Sequence, residues 1–306
     1  MKILMVADVQ GWAWDRNVTA IQKHLPQYQI VKVFEQQARK IGDQFDHVHY
    51  FSWLASRKCA ADVTAAVCSH NFELRENQQN IWATCFPKYM ALTTNSSILY
   101  EKVRSHNDHV FMAANGVDEE MFQPVSKERG KTFKVGWIGQ VPKTGLDIKG
   151  YNDLFVPLME ELKDEDIEFV TNVRNYTNKL KHSDMPKYYH SVDCQICTSF
   201  REGTPNPMFE AAACGKALIS TRVGAISDFI DHGVNGFIIN AYNSMAEARG
   251  RIAAFKKHIL TLKNDRDLCE QMGRKGREII ERDWTWKKRA RQWIPLFEYV
   301  REVKGL

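Results

Sequence analysis

The stretch SFREGTPNPMFEAAACGK fills residues 199–216 and carries the clearest fold signal in the chain. Short apolar runs stand on either side of it, Cys194–Thr198 before and Ala217–Thr221 after. Apolar runs of this length, bounded by Gly and Pro, are typical of buried strands. The segment therefore predicts a strand, a loop, a helix and a second strand.

The same alternation extends along the whole chain. Apolar runs that predict further strands lie at Lys2–Ala7, Ile30–Phe34, His47–Phe51, Val63–Cys68, Ala91–Thr94, His109–Ala113, Phe133–Ile138, Ile167–Val173 and Gly236–Ile239. Segments with helical spacing separate most of these runs, as with Val18, Ile21 and Leu25 after the first. Strands that alternate with helices predict mostly parallel sheets covered by helices, an α/β fold of Rossmann-like design.

A polar segment near the middle of the chain predicts a domain boundary. Residues from Pro124 to Lys131 are polar or charged and nearly free of large apolar side chains. We expect a Rossmann-like N-terminal domain at 1–124, a Rossmann-like C-terminal domain at 125–285, and a ligand site in the cleft between them. Residues 286–306 place apolar side chains on one helical stripe, and we expect this helix to cross back to the N-terminal domain.

Composition narrows the class of protein. The chain has 306 residues, of which 44% are apolar and 26% charged, as in a globular enzyme with room for two cores. No run approaches the roughly 18 apolar residues of a membrane span. The apolar start Met1–Val6 is too short for an export signal. We therefore expect a cytoplasmic protein that is soluble or at most peripheral to a membrane.

Charge leaves more than one partner open. Lys and Arg exceed Asp and Glu by 42 to 37, a net charge of +5. Such an excess suits phosphorylated ligands or an anionic surface, but it is also common in enzymes without such partners. The basic run Lys287–Arg291 is either the solvated face of a packed helix or a contact with a membrane or nucleic acid.

Seven cysteines without an export signal indicate reduced thiols. Cys194 and Cys197 have the spacing of a redox or zinc pair. However, residues three apart on a strand face opposite sides, and no second pair exists. We interpret both as core thiols and expect no metal site.

Asn206 and Pro207 predict where the helix of the 199–216 stretch begins. Asparagine suits the N-cap and proline the first helical position, and the amides of such a terminus favour a phosphate. Glu202 in the loop and Glu210 in the helix then border one site, where carboxylates accept hydrogen bonds from sugar hydroxyls. From these residues alone, a capped helix with two solvated acids is an equal alternative.

Glu202 and Glu210 resemble the E-x7-E signature of retaining GT-B glycosyltransferases of family four, the glycosyl transferases group 1. Further segments are similar to that family: NGVD at 115–118, Gly139 with Lys149-Gly150, CGKALIS at 214–220 and GVNGF at 233–237. The resemblance covers the C-terminal half well and the N-terminal half loosely. It implies a GT-B fold and metal-independent transfer of a hexosyl or pentosyl group from a nucleotide-sugar, with retention and without a cofactor. A UDP-sugar is the favoured donor.

The resemblance also implies roles for individual residues. The first glutamate of the signature contacts the donor sugar, the second the ribose, and the lysine the diphosphate, which assigns Glu202, Glu210 and Lys149, with Glu202 and Lys149 as catalytic residues. Other expected donor-binding residues are Gly139, Gln140, Lys143, Arg174, Gly203, Thr204, Pro205 and Asn206. Members often have arginine where Gln140 stands, and Lys143 is the candidate substitute.

The loop after the first strand is the expected acceptor region. It contains Gly11, Trp12 and Asp15, at the place where the family has a glycine-bearing loop. A tryptophan there either stacks on a sugar or base, or fills the domain interface. His70 resembles a histidine in a strand-end loop of the family, and a structural histidine is the alternative.

Other classes of protein fit less well. A nicotinamide dehydrogenase needs a G-x-G-x-x-G turn after the first strand, where this chain has ADVQGW at 7–12. An inactive, transferase-like module that binds sugar nucleotides stays open as an alternative. So does the acceptor, which is a glycan, a lipid, a protein or, as in phage-type enzymes, a modified DNA base.

Overall fold

A computed structural model describes residues 1–56, 61–68, 79–126, 128–142, 147–173, 180–240 and 245–306, with the backbone alone at 39, 79, 80 and 245–248. It divides into two compact units. Unit 1 consists of Met1–Gly116 together with Trp286–Leu306, and unit 2 is Val117–Thr285.

Unit 1 is built on a parallel sheet. Its described strands are β1 (Lys2–Ala7), β2 (Gln29–Phe34), β3 (His47–Tyr50), β4 (Thr64–Val67), β5 (Ala91–Thr94) and β6 (Val110–Met112). They lie in the order β2-β1-β3-β4-β5-β6, and neighbouring strands are parallel. The order reverses between β1 and β3, so this is the switch point at which open α/β sheets bind ligands.

Helices connect these strands, because the apolar residues between them recur at helical spacing. They span Ala13–His24, Glu35–Ile41, Trp53–Ser56, Gln79–Cys85 and Ser97–Val103, with 3-10 turns at Gly42–Gln44 and Phe86–Lys88.

The last residues of the chain complete the core of unit 1. They form a helix at Trp286–Arg289, a 3-10 turn at Ala290–Trp293 and a helix at Ile294–Lys304. Trp293 and Phe297 from this segment are buried in one cluster with Ile3 and Met5 of β1 and Ile21 of the first helix. The apolar stripe seen in the sequence is therefore a packed face.

Unit 2 repeats the design. Its described strands are β7 (Phe133–Gly139), β8 (Ile167–Val173), β9 (Cys194–Cys197), β10 (Ala217–Thr221) and β11 (Phe237–Ile239). The sheet order is β11-β10-β9-β7-β8, again with parallel neighbours. The order reverses between β7 and β9, which makes their carboxyl ends the switch point of this unit.

The helices of unit 2 cover both faces of that sheet, as the crossovers between parallel strands require. They span Val156–Glu161, Met185–Ser191, Asn206–Ala213, Ile226–Phe229, Met245–Asn264 and Arg266–Ile279. Single π turns lie at Tyr151–Phe155 and Ile280–Trp284, and a 3-10 turn at His182–Asp184.

The structure divides the chain after Gly116, before the boundary predicted near Pro124. The reason is that residues just before Pro124 already pack in unit 2. The ring of Phe122 contacts that of Tyr189 at 5.9 Å, and Arg277 donates to the Phe122 carbonyl at 2.6 Å. The polar segment that suggested a boundary lies inside the second unit.

The predicted strands are confirmed, and their ends move by a residue or two at most. Cys194 and Cys197 are buried with free thiols, and burial raises the pKa of both, which confirms the interpretation as core thiols. In the described part of the chain, no helix combines the length and the apolar character needed to cross a membrane.

Candidate functional site

Lys149 and Glu202 meet at the switch point of unit 2. Lys149 follows β7 and Glu202 follows β9, the neighbouring strands between which the sheet order reverses. Lys149 Nζ donates to Glu202 Oε1 at 2.5 Å, and Ser199 Oγ donates to the same oxygen at 2.7 Å. The Glu202 side chain is 13% exposed and that of Lys149 31% exposed. The two charges form a pair that is shielded from solvent on the side of Glu202.

Backbone contacts to the end of β9 fix the position of Lys149. Thr198 Oγ1 donates to the Lys149 carbonyl at 2.8 Å and itself accepts from Trp137 Nε1 at 2.9 Å. Gly150 has φ +64°, and a Cβ there would overlap the Thr198 carbonyl. Only glycine allows this approach, so Lys149 is anchored by its own main chain and by that of its neighbour.

Asp147 satisfies the amides that follow Lys149. Its carboxylate accepts from the backbone N–H groups of Tyr151, Asn152 and Asp153 at 2.9, 2.7 and 3.0 Å. A turn whose amides already bind a carboxylate offers little to a phosphate. Among the described residues of this loop, Lys149 therefore supplies the positive charge that a ligand can meet.

Gly139 and Gln140, two further predicted donor-binding residues, lie at the end of β7. Gly139 ends β7 against the indole of Trp137, where a Cβ would overlap the ring. Gln140 is exposed. Three sequence candidates, His70, Lys143 and Arg174, lie outside the described residues.

The helix of the 199–216 stretch begins at Asn206, so the predicted N-cap is one residue late. Pro205 is the N-cap and makes no side-chain capping bond, and Pro207 is the second helical residue. The cause is local, because the Pro205 carbonyl already accepts from the Met208 amide at 2.8 Å. The Asn206 side chain is not the cap.

Gly203 and Thr204 lie in the loop before this helix, and they differ in their hydrogen bonding. The Gly203 carbonyl accepts from the Ala225 amide at 2.9 Å. Thr204 Oγ1 is buried and has no hydrogen-bond partner among the residues that the structure describes. A buried hydroxyl of this kind calls for a ligand or water oxygen.

Glu210 is buried and hydrogen-bonded, so the alternative of a solvated acid is wrong for this residue. Tyr189 donates from its hydroxyl to Oε2 at 2.6 Å, and His182 Nε2 lies 3.2 Å from Oε1. The Glu210 side chain is 7% exposed. No sequence pattern singles out His182 or Tyr189, because their contact with Glu210 depends on how separate helical segments pack.

Gly224 presses directly on the Glu202 loop, and its replacement by alanine should destabilise unit 2. It has φ +48°, and a Cβ would overlap the carbonyls of Glu202 and Gly203. Gly233 is a matched control, because it has φ +83° with nothing within 4 Å of a Cβ. We expect Gly224→Ala to lower the free energy of unfolding by about 1–2 kcal/mol more than Gly233→Ala, measured by urea denaturation. Equal losses would show that the carbonyl contact is unimportant.

Asp15 holds the first loop of unit 1 through a hydrogen bond and an ion pair. The Gly11 amide donates to Asp15 Oδ2 at 2.7 Å, and Asp15 also forms an ion pair with Lys32. Burial raises the pKa of Asp15, but the hydrogen bonds from Lys32 and Gly11 outweigh it and leave the pKa lowered. Gly11 has φ +76°, and Trp12 is 38% exposed. Asp15 is thus used to hold the loop, and Trp12 faces solvent.

Comparisons with known proteins place this architecture in a class. Residues 122–255 match the family model for glycosyl transferases group 1. The structure superposes on sucrose-phosphate synthase from Thermosynechococcus elongatus with a TM-score of 0.75 at 12% identity, over 99% of this chain and 100% of that one. It also superposes on Anabaena HepE in complex with UDP and glucose, with a TM-score of 0.69 at 13% identity over 97% and 99% of the chains. The fold is GT-B, as predicted.

Among curated proteins, the chain is similar to the capsular polysaccharide biosynthesis glycosyltransferase CapM of Staphylococcus aureus. The two are 26% identical over 200 residues, which is 57% of this chain and 50% of CapM. The chain spans half or less of the length of the first curated relatives that it matches.

Proposed function

We propose that the chain is a retaining glycosyltransferase of family four that works in the cytoplasm and transfers a hexosyl or pentosyl group from a nucleotide-sugar. The observation that carries the proposal is the contact of Lys149 with Glu202 at the switch point of unit 2, inside the segment that matches glycosyl transferases group 1. The complex of Anabaena HepE with UDP and glucose supports a UDP-sugar as the donor.

Lys149 binds the diphosphate in this proposal. An ammonium group has three N–H donors, and the bond to Glu202 uses one of them. The remaining donors are available to phosphate oxygens. A fixed cation stabilises the negative charge that develops on the departing nucleotide, and it does so without a metal.

Glu202 binds the donor sugar. Lys149 and Ser199 both donate to Oε1, which leaves the acceptor capacity of Oε2 for a sugar hydroxyl. The buried hydroxyl of Thr204, in the next turn of the loop, gains a partner when a donor oxygen enters. Glu210 accepts from the ribose.

The reaction then needs no nucleophile from the protein. The bond from the anomeric carbon to the phosphate oxygen breaks, and the bond to the acceptor oxygen forms on the same face of the sugar. The acceptor proton passes to the departing phosphate, which Lys149 stabilises. We assign the acceptor contact to the first loop of unit 1, where Trp12 offers an exposed aromatic face.

The test is a panel of nucleoside diphosphates and nucleotide-sugars. We expect UDP to raise the thermal midpoint with concentration, because a ligand at a hundred times its Kd adds about 2.7 kcal/mol of stability. GDP, ADP and dTDP serve as matched controls. UDP-sugars should then release UDP when candidate acceptors are supplied. Binding without release would indicate an inactive module, and binding of no nucleotide would refute the proposal.

A further inference from the structure

A second polar cluster of unit 2 is formed by Glu210, Tyr189 and His182. Tyr189 is fully buried, Glu210 nearly so, and the His182 side chain is 30% exposed. Of these three residues, His182 is therefore the one through which a ligand reaches the carboxylate.

The two oxygens of Glu210 are held unequally. The Tyr189 hydroxyl bonds Oε2 at 2.6 Å, whereas His182 Nε2 bonds Oε1 at 3.2 Å. The ring of Phe122 lies edge-on to both partners, 5.4 Å from His182 and 5.9 Å from Tyr189. Phe122 and Tyr189 are buried and shield Oε2 from solvent, whereas Oε1 is bonded to the partly exposed His182.

The bond to His182 fixes the protons of this cluster. A carboxylate oxygen only accepts, so Nε2 of His182 carries the hydrogen that it donates. Oε1 can accept a second hydrogen bond, and the first one determines the direction of its free lone pair. His182 thereby orients the atom of Glu210 that a hydroxyl group of a ligand meets.

We propose that His182 is a positioning residue for the ribose of the donor, and that through Oε1 of Glu210 it sets the preference for ribonucleotides over deoxyribonucleotides. This inference rests on the proposed function, which places the ribose at Glu210. The reason for selectivity is that a ligand without the hydroxyl cannot form the second hydrogen bond to the oriented Oε1, which costs about tenfold in affinity.

The experiment measures Kd by titration calorimetry for UDP, 2′-deoxy-UDP and 3′-deoxy-UDP on the full chain. We expect the wild type to prefer UDP about tenfold over at least one deoxy analogue. His182→Ala should bind UDP and that analogue almost equally. His182→Gln should restore the preference, since its amide offers a donor in place of Nε2. His190→Gln is the matched control and should keep it, because His190 bonds the Gln123 carbonyl, away from Glu210.

Other results would overturn the inference. A wild-type preference retained in His182→Ala, equal binding of all three nucleotides by the wild type, or a proportionate weakening of all three in His182→Ala would each do so. Should His182→Ala not fold, His182→Leu replaces it and keeps the apolar contact with Phe122. Failure of the proposed function looks different, because the wild type would then bind none of the nucleotides and Lys149→Ala would change nothing.

Discussion

Lys149→Ala should lower kcat for transfer from a UDP-sugar by about 10²–10³-fold. Lys149 is the described cation that stands beside Glu202 at the switch point, and the amides that follow it are already bound to Asp147. Among the described residues of that loop, 139–142 and 147–150, Lys149 is the basic one. We expect the loss in kcat rather than in KM, because the negative charge on the diphosphate grows as the sugar departs. Steady-state release of UDP measures it.

A matched control separates catalysis from the loss of an ion pair. Lys163 bonds Glu160 at 2.5 Å, the same distance as Lys149 to Glu202, but both side chains of this pair are exposed to solvent. Lys163→Ala should leave kcat unchanged and have little effect on stability, because exposed ion pairs contribute little. Lys149→Arg keeps the charge but not the compact geometry, so we expect it to recover part of the rate. A kcat of Lys149→Ala within a factor of about three of the wild type would contradict the role, because a removed charge-stabilising donor normally costs far more.

Acid should destabilise unit 1 through two buried histidines. His47 Nε2 and His49 Nδ1 each lie 2.8 Å from Thr64 Oγ1. Burial, with a smaller effect of Lys304, lowers the pKa of His47 to about 3. Burial also lowers that of His49 well below its usual value, with a smaller contribution from His47. One hydroxyl can donate to one ring and accept from the other, which suits two neutral imidazoles.

The sign follows from proton linkage. In the unfolded chain a histidine has a pKa near 6.5, so below that pH the unfolded state binds protons that the folded state does not. The stabilisation is complete above about pH 6.5 and is lost as the pH falls towards the folded pKa. Between about pH 7 and about pH 4.5 we expect a loss of roughly 2–3 kcal/mol from His47, whose folded pKa is about 3, and a further loss in the same direction from His49.

Urea unfolding at the two pH values, followed by hydrogen exchange of peptides from each unit, measures this loss in unit 1. The double variant His47→Gln with His49→Gln keeps polar amides at both positions but cannot be protonated. We expect a shallower dependence on pH in unit 1 of the variant than in the wild type. The same slope in both proteins would show that other groups cause the acid sensitivity.

Much of the fold could be predicted because apolar runs are local signals. Each run marked a strand, as Lys2–Ala7 and Ala217–Thr221 show residue for residue. The start of the helix at Asn206 was missed by one position, because the carbonyl of Pro205 competes with the side chain that was expected to cap it. Competition between a backbone carbonyl and a side chain for the same amide does not change the hydrophobic periodicity of a sequence, so it cannot be predicted from that pattern.

The site was predictable only where a motif is compact in sequence. Lys149 and Glu202 were assigned to one ligand, but their direct contact depends on β7 lying beside β9, which no local pattern reveals. The role of His182 could not be predicted, because a lone histidine before a helix has no spacing pattern that relates it to Glu210. Packing between distant segments creates that pair.

The interrupted course of unit 1 has a consequence for biosynthesis. The chain leaves this unit after Gly116 and returns at Trp286, while Val117 and Thr285 at the two ends of unit 2 are paired side by side. Unit 2 can therefore close its core as it leaves the ribosome. The strand Lys2–Ala7 is synthesised well before Trp293 and Phe297, which complete the apolar cluster that it shares with Ile21. The core of unit 1 is therefore complete only after unit 2 has been synthesised, and until then part of its apolar surface stays exposed.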